Sequence, residues 1–420
     1  MTEAAADLFD PVADIWDPVT PADSRAGSWV QLTDEQQRIR ALARDVAETE
    51  LRPWAAYWDE HEEFPARSLA AVRDAGLLNL CIPVEYGGQG LGLFEGCLVV
   101  EELARVCLST AMAAQPYLNG PWRAVDILGT PAHRERLLPG VASGTNHFAI
   151  AMSEPGAGSA GTDLRAELRP DGPGGYRLHG TKCWVTGGRE AETIIVFCRA
   201  PGSRGPRGIG AVLVNGRSAG MSEPQIDPKM GIRGVAECTF HFSGVRVEAA
   251  DVLIEPDPGS KRGAEVLVNQ FNPERCGNAS MCTGLAQGAL DASIAHLKAR
   301  QQFGRQLAGF QGLQWMIADM ALEVEIARML VWRAARATER GFPPQRETIM
   351  AKLYSSEMVQ RVTNSAIQIH GARGYSRRWP VERMFRDGRG LSIGGGTAEI
   401  MRNILAGIVL DQRISQRAGG

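Results

Sequence analysis

Several things are missing from this chain, and each absence narrows its role. No uncharged apolar run in its 420 residues approaches the roughly 18 needed to cross a bilayer. The first residues, MTEAAADLFD, are acidic and lack the basic start and apolar stretch of a secretory signal. Lys and Arg (45) do not outnumber Asp and Glu (48), and a net charge of −3 gives no electrostatic footprint for nucleic acid. The eight cysteines form no Cys-x-x-Cys pair, so no metal framework is indicated. Nor does a Gly-x-Gly-x-x-Gly lead from a strand into a helix, which disfavours a Rossmann domain. Reduced, mostly buried thiols in a soluble cytoplasmic protein are expected.

What is present is 44% hydrophobic residues, enough for two or three packed domains. Residues 1–30 hold three prolines and no sustained period, and read as an extended leader. From Leu32 the pattern turns helical to about residue 147, with Thr33 and Gln36 as a reciprocal N-cap and further helical pattern through 66–76 and 95–115. Between 148 and 260 glycine and proline punctuate short β-rich runs such as TIIVFC and CTFHFSGVRV, with no helix between them. An antiparallel sandwich or small barrel is expected there. From 261 to 420 helix returns: Leu313, Ile317, Met320, Val324, Ala327, Val331 and Ala334 form one stripe, and Gly371 is a C-cap. The expected class is α+β: a helical domain, an antiparallel β-domain and a C-terminal four-helix bundle.

Two segments could carry chemistry. AMSEPGAGSAGTDL (151–164) combines glycines that admit a ligand to the backbone with the hydroxyls of Ser153, Ser159 and Thr162, which suits a phosphate or polar heterocycle. A plain turn between elements explains it as well. TKCWVTGG (181–188) puts Trp184 and Thr186 on one face of a strand, where the indole could stack on a flat cofactor or simply be buried.

Taken in order, SEPGAGS, GTKCWVTGG, KMGIRGVAECTFHFSGVRV, HLKARQQFGRQLAGFQGLQW, AIQIHGARGYSRRWPVERMFRD and GGGTAEIMR resemble the acyl-CoA dehydrogenase family over about residues 30–412. The resemblance implies a helical/β/helical fold that binds FAD. It implies oxidation of an acyl thioester, on CoA or a carrier protein, to the 2-enoyl thioester, with an electron-transferring flavoprotein as acceptor. By the same resemblance Met152, Ser153, Gly158 and Ser159 lie beside the flavin, and Trp184 and Thr186 wall it. Thr397 and Glu399 lie near the diphosphate and ribose. Arg300, Phe303, Gln368 and Gly371 match positions that reach the FAD of a neighbouring subunit, which implies a homodimer or homotetramer. Ala372 departs from the more usual glycine, and Ala264 from a common phenylalanine.

The family's base is commonly a glutamate in the C-terminal segment, at the position that is Gly395 here. A second base position, found in the isovaleryl- and long-chain-type members, precedes an arginine ten residues before a glycine. Glu274–Arg275 and Gly284 match that spacing, so Glu274 is the expected base. A solvated glutamate at a helix start is the alternative from residue type alone. Gly395 keeps a backbone N–H that the resemblance places on the thioester carbonyl, and its missing side chain suggests room for branched acyl groups. Met112, Gln115 and Tyr117 are expected to floor a short pocket, Asn272 to bind substrate, and Arg275 to serve structure or the CoA end. A monooxygenase of the same fold and a non-catalytic acyl-CoA-binding scaffold are the competing readings.

Overall fold

The computed structural model describes residues 31–338 and 342–412; the expected leader, 1–30, lies outside them. Gln36 N donates to the Thr33 hydroxyl at 3.2 Å and Gln36 Oε1 accepts from Thr33 N at 3.0 Å, the reciprocal cap that the sequence suggests. It opens a helix over Asp34–Val46 that widens into a π-turn to Leu51. The pattern at 95–115 divides into two helices, Leu93–Ala104 and Leu108–Leu118, and the N-terminal helices close with Pro131–Ala142.

Eight strands follow: β1 (Phe148–Ala151), β2 (Glu167–Pro170), β3 (Gly175–Thr186), β4 (Thr193–Arg199), β5 (Ile209–Asn215), β6 (Gln225–Ile226), β7 (Glu237–Glu248) and β8 (Val252–Ile254). They form one sheet in the order β6-β7-β3-β2-β4-β5-β8, with β1 beside β4. Pairing is antiparallel except that β4 runs parallel to β1 and, at one residue pair, to β2. Alternate residues of β4 and β5 enter two cores. Ile195, Phe197, Ala211 and Leu213 join the helical core, whereas Ile194, Val196, Cys198, Val212 and Val214 meet Leu178, Val185, Phe240 and Phe242 from β3 and β7. The sheet therefore closes over its own core while its other face packs on helices. A strand buried on both faces reads as an unbroken apolar run, which explains TIIVFC.

The C-terminal helices are Arg262–Asn269, Asn272–Ala299, Gln311–Arg336, Gln345–His370, Pro380–Gly390 and Ala398–Val409. Asn272–Ala299 is the central one, packed against Leu93–Ala104, Gln311–Arg336 and Gln345–His370. Close crossing rests on glycine: a Cβ at Gly284 would fall 1.9 Å from the Glu101 carbonyl oxygen, and one at Gly288 2.1 Å from that of Arg105. On Gln311–Arg336 the stripe from Met320 to Ala334 is buried, and Leu313 and Ile317 are half-buried at its start. Arg386 ties all three parts together, binding Asp59 (2.6 and 2.9 Å), Glu382 and the carbonyl of Met230. All eight cysteines are free and buried. Among the described residues no helix is long and apolar enough to cross a membrane.

Candidate active site

The central helix begins with Asn272 and Pro273, where proline costs no helical hydrogen bond, and Glu274 stands in its first turn. The Glu274 side chain turns inward. Its Oε1 is enclosed with no hydrogen-bond partner, and burial pushes the carboxyl up to about 8, against a smaller opposing pull from Arg275. A solvated helix-start glutamate would do neither.

Arg275 faces elsewhere. Its Nε donates to the Gly395 carbonyl at 3.1 Å, and Nη1 donates to Val268 O (3.1 Å) and Asn272 Oδ1 (2.8 Å). Asn272 is 1% exposed and donates to Pro343 O. Arg275, expected to serve structure or the CoA end, thus holds the turn at Gly395, and Asn272, expected to bind substrate, has its amide engaged by Arg275 and Pro343. A third residue joins them: buried Lys352 donates to the carbonyl of Gly396, and desolvation lowers its ammonium to about 8. Two buried cations on consecutive carbonyls fix a turn whose Gly395 and Gly396 have φ of +70° and +98°, a conformation that favours glycine.

The space expected beside Gly395 is not empty. A Cβ built there would lie 2.8 Å from Asn278 Nδ2. Asn278 is one helical turn beyond Glu274, so it shares that face and reaches the turn across the site. Gln115 is buried and donates through Nε2 to Asn278 Oδ1 (3.0 Å) and to the Glu274 carbonyl (3.4 Å). Met112 is half-buried. Tyr117 points away from these groups: it is 3% exposed, and its hydroxyl meets His147 Nδ1 (3.3 Å) and Gly144 O (3.4 Å). Tyr117 and His147 line a separate cleft of about 200 Å³ with Phe64, Leu69 and Arg73.

The loop after β1 is built as a cradle. Glu154 accepts from the backbone N–H of Arg165 (2.7 Å) and Ala166 (2.9 Å) and from fully buried Lys182 (2.8 Å), whose Nζ also donates to Met152 O. Cys183 N donates to Ser153 O, so Met152 and Ser153 run directly beside β3. Nothing lies within 4 Å of a Cβ at Gly156 or Gly158, and Ser159 is exposed. One residue further along β3 a register shift frees Trp184, which is 57% exposed at φ +57°. A tryptophan held in left-handed backbone with its ring in the open is a strained choice that a fold does not need, and such strain collects at ligand sites. Thr186 shares the open face, but its hydroxyl donates to Glu237 (2.9 Å). Thr397 caps the last helix through Ile400 N (3.3 Å), and Glu399 is exposed in its first turn. An open glycine backbone beside a bared indole plane fits a flat heterocycle carrying phosphates.

Arg300, Phe303, Gln368 and Gly371 sit far from Glu274. The helix from 274 to 300 spans roughly 39 Å at 1.5 Å per residue. The rings of His296 and His370 stack at 4.3 Å and bring the ends of their two helices together, which places Arg300 and Gly371 at one exposed corner. Phe303 projects from the tip of a two-residue hairpin loop and is 93% exposed.

Asn278, Lys352, Glu154 and Lys182 were not singled out by the sequence. Asn278 carried a usable signal, its i+4 spacing from Glu274. The others look like ordinary charged residues until the chain is folded.

The architecture and site together define a flavin-type oxidoreductase with a part-enclosed carboxyl on the helix that Asn278 links to a glycine turn. Family models match along the chain: the acyl-CoA dehydrogenase N-terminal domain at residues 33–145, the middle domain at 149–245 and the C-terminal domain at 261–410. A 3-sulfinopropanoyl-CoA desulfinase of Paraburkholderia xenovorans is 40% identical, covering 92% of this chain and 99% of its own. An acryloyl-CoA reductase (NADH) of Anaerotignum propionicum is 37% identical over 89% of this chain and 94% of its own. The solved butyryl-CoA dehydrogenase of Megasphaera elsdenii superposes with a TM-score of 0.87 at 29% identity, over 91% of this chain and 99% of that one. The chain belongs to the acyl-CoA dehydrogenase family, whose members depend on FAD.

Proposed function

We propose that this protein oxidises an acyl thioester, on CoA or on a carrier protein's phosphopantetheine, to the 2-enoyl thioester, with Glu274 removing the Cα proton. The observation that carries the reading is the Glu274 carboxyl, one oxygen of which is enclosed without a partner, with its pKa raised by burial to about 8. A thioester α-C–H is a weak acid, so the base must be desolvated and basic to take the proton. Bound FAD would supply the acceptor for the Cβ hydrogen and its electron pair. Met152, Ser153, Gly158, Ser159 and Trp184 would hold it, and the Glu154–Lys182 pair fixes the shape of their loop. Gly395 offers its N–H to the thioester carbonyl, where negative charge develops as the proton leaves. The turn that presents it is held by Arg275 and Lys352, so little reorganisation accompanies that change.

The distance between Glu274 and the corner of Arg300, Phe303, Gln368 and Gly371 supports a homo-oligomer, a dimer or tetramer, in which that corner serves the cofactor of a second copy. An electron-transferring flavoprotein is the acceptor that the family resemblance supports. The test is anaerobic addition of acyl-CoA to the flavin-loaded protein. Bleaching of the flavin absorbance with formation of enoyl thioester is expected. A flavin that stays oxidised with every thioester would favour a binding scaffold.

A further inference from the structure

We infer that Asn278, oriented by Gln115, is a specificity-determining residue whose amide N–H selects acyl groups bearing a hydrogen-bond acceptor close to the thioester, such as a carboxylate or sulfinate. The inference rests on the proposed reaction and adds a substrate class to it.

The orientation of the amide follows from its hydrogen bonds. The Glu274 carbonyl can only accept, so the Gln115 atom facing it is Nε2. That same Nε2 meets Asn278 at 3.0 Å, so the Asn278 atom there is the acceptor Oδ1. Nδ2 is left pointing at the Gly395 turn, 2.8 Å from where a side chain there would begin. Among the described residues Nδ2 has no acceptor, whereas the polar atoms of Asn272, in the first turn of the same helix, are both engaged. The arrangement has a cost, because Gln115 Oε1 is buried without a donor against Gly277. A fold that strands one amide oxygen to aim another amide's N–H gains nothing in packing, but it places a fixed donor on the same helical face as the base.

A purely hydrocarbon acyl group would leave that donor desolvated and unpaired, and a site built around a hydrogen bond discriminates against the analogue that lacks the partner. An anionic acceptor is favoured over a neutral one because its hydrogen bonds are stronger, and because the Arg275 guanidinium and the Lys352 ammonium hold the turn that the Asn278 amide faces. The 40% identical relative is named for a thioester with a sulfinate on its third carbon, which fits this class.

The test compares kcat/KM for 3-carboxypropanoyl- and 3-sulfinopropanoyl-CoA with butanoyl- and pentanoyl-CoA, in the flavin-loaded wild type and in Asn278→Asp and Asn278→Leu. Asp keeps the acceptor for Gln115 and removes the donor; Leu removes both at similar volume. The wild type should favour the acidic thioesters by about 10–100-fold, the worth of one hydrogen bond to a charged group. Both variants should lose that preference through KM, with flavin content unchanged, and Gln115→Leu should weaken it by letting the amide turn. A wild type that favours butanoyl-CoA, or a preference untouched in Asn278→Asp, overturns the inference while leaving the reaction intact. Failure of every thioester to bleach the flavin overturns the reaction, and the inference with it.

Discussion

Replacing Glu274 by Gln should move activity and stability in opposite directions. Proton abstraction then has no carboxylate, and turnover should fall ~10²–10⁴-fold with flavin still bound. Stability should rise, because the native fold holds this carboxyl protonated to about pH 8 whereas the unfolded chain releases the proton near 4.5. An acid whose folded pKa is raised costs nothing below the unfolded value, and the cost grows as pH climbs from 4.5 to 8. At 1.36 kcal/mol per pKa unit the penalty is roughly 1 kcal/mol at pH 5, about 3 at pH 7 and about 5 at pH 9. Glutamine escapes it. Urea unfolding of both proteins at the three pH values should therefore show an advantage for Glu274→Gln that widens with pH. In the wild type, kcat/KM should climb about tenfold per pH unit below 8 and level off above it, as free enzyme gains the ionised base. A stability difference flat across pH would refute the buried-acid account, and near-normal turnover in the variant would remove Glu274 from the chemistry.

Lys182→Met should strand the Glu154 carboxylate inside the β-domain, costing about 3–5 kcal/mol in unfolding experiments and loosening FAD in a dialysis assay; unchanged flavin retention would separate the pair from the cradle. Arg386→Ala leaves Asp59, 6% exposed, without its partner, so a loss of ~3 kcal/mol or more is expected, and a change under 1 would contradict the tie described. Gly395→Glu in the Glu274→Gln background should restore dehydrogenation only when Asn278 is also cut back to Ala, since the new Cβ would meet Nδ2 at 2.8 Å; rescue without that second change would show that the amide yields freely. Arg300→Ala should lower flavin content and shift sedimentation towards monomer together, and loss of one without the other would separate the cofactor from the assembly.

The sequence disclosed the local devices and the family's motifs. The Thr33–Gln36 cap, the stripe along Gln311–Arg336 and Gly371 at a helix end depend on neighbours a few residues away. What stayed hidden depends on distant pairing. Lys352 lies in AKLYSSEM, which suits a solvated helix face, and only the fold brings Gly396 to its ammonium. Asn278 belonged legibly to the face of Glu274, but the partner that turns its amide, Gln115, is 163 residues away. The neighbour beside Gly395, Asn278, was hidden for the same reason: a missing side chain says nothing of what stands near its place.

The bond from Arg275 to Gly395 spans 120 residues, and that from Arg386 to Asp59 spans 327. Helices can form within microseconds of dilution from denaturant, but contacts of this reach wait until the intervening chain has found its place. In refolding, then, far-UV helicity should return well before the glycine turn is gripped. Until residues 394–396 arrive, Arg275 and Lys352 lack the carbonyls of Gly395 and Gly396 that they hold in the folded chain. The Glu274 carboxyl becomes basic only as burial is completed, so the base and the glycine turn opposite Asn278 come into being together rather than one waiting for the other.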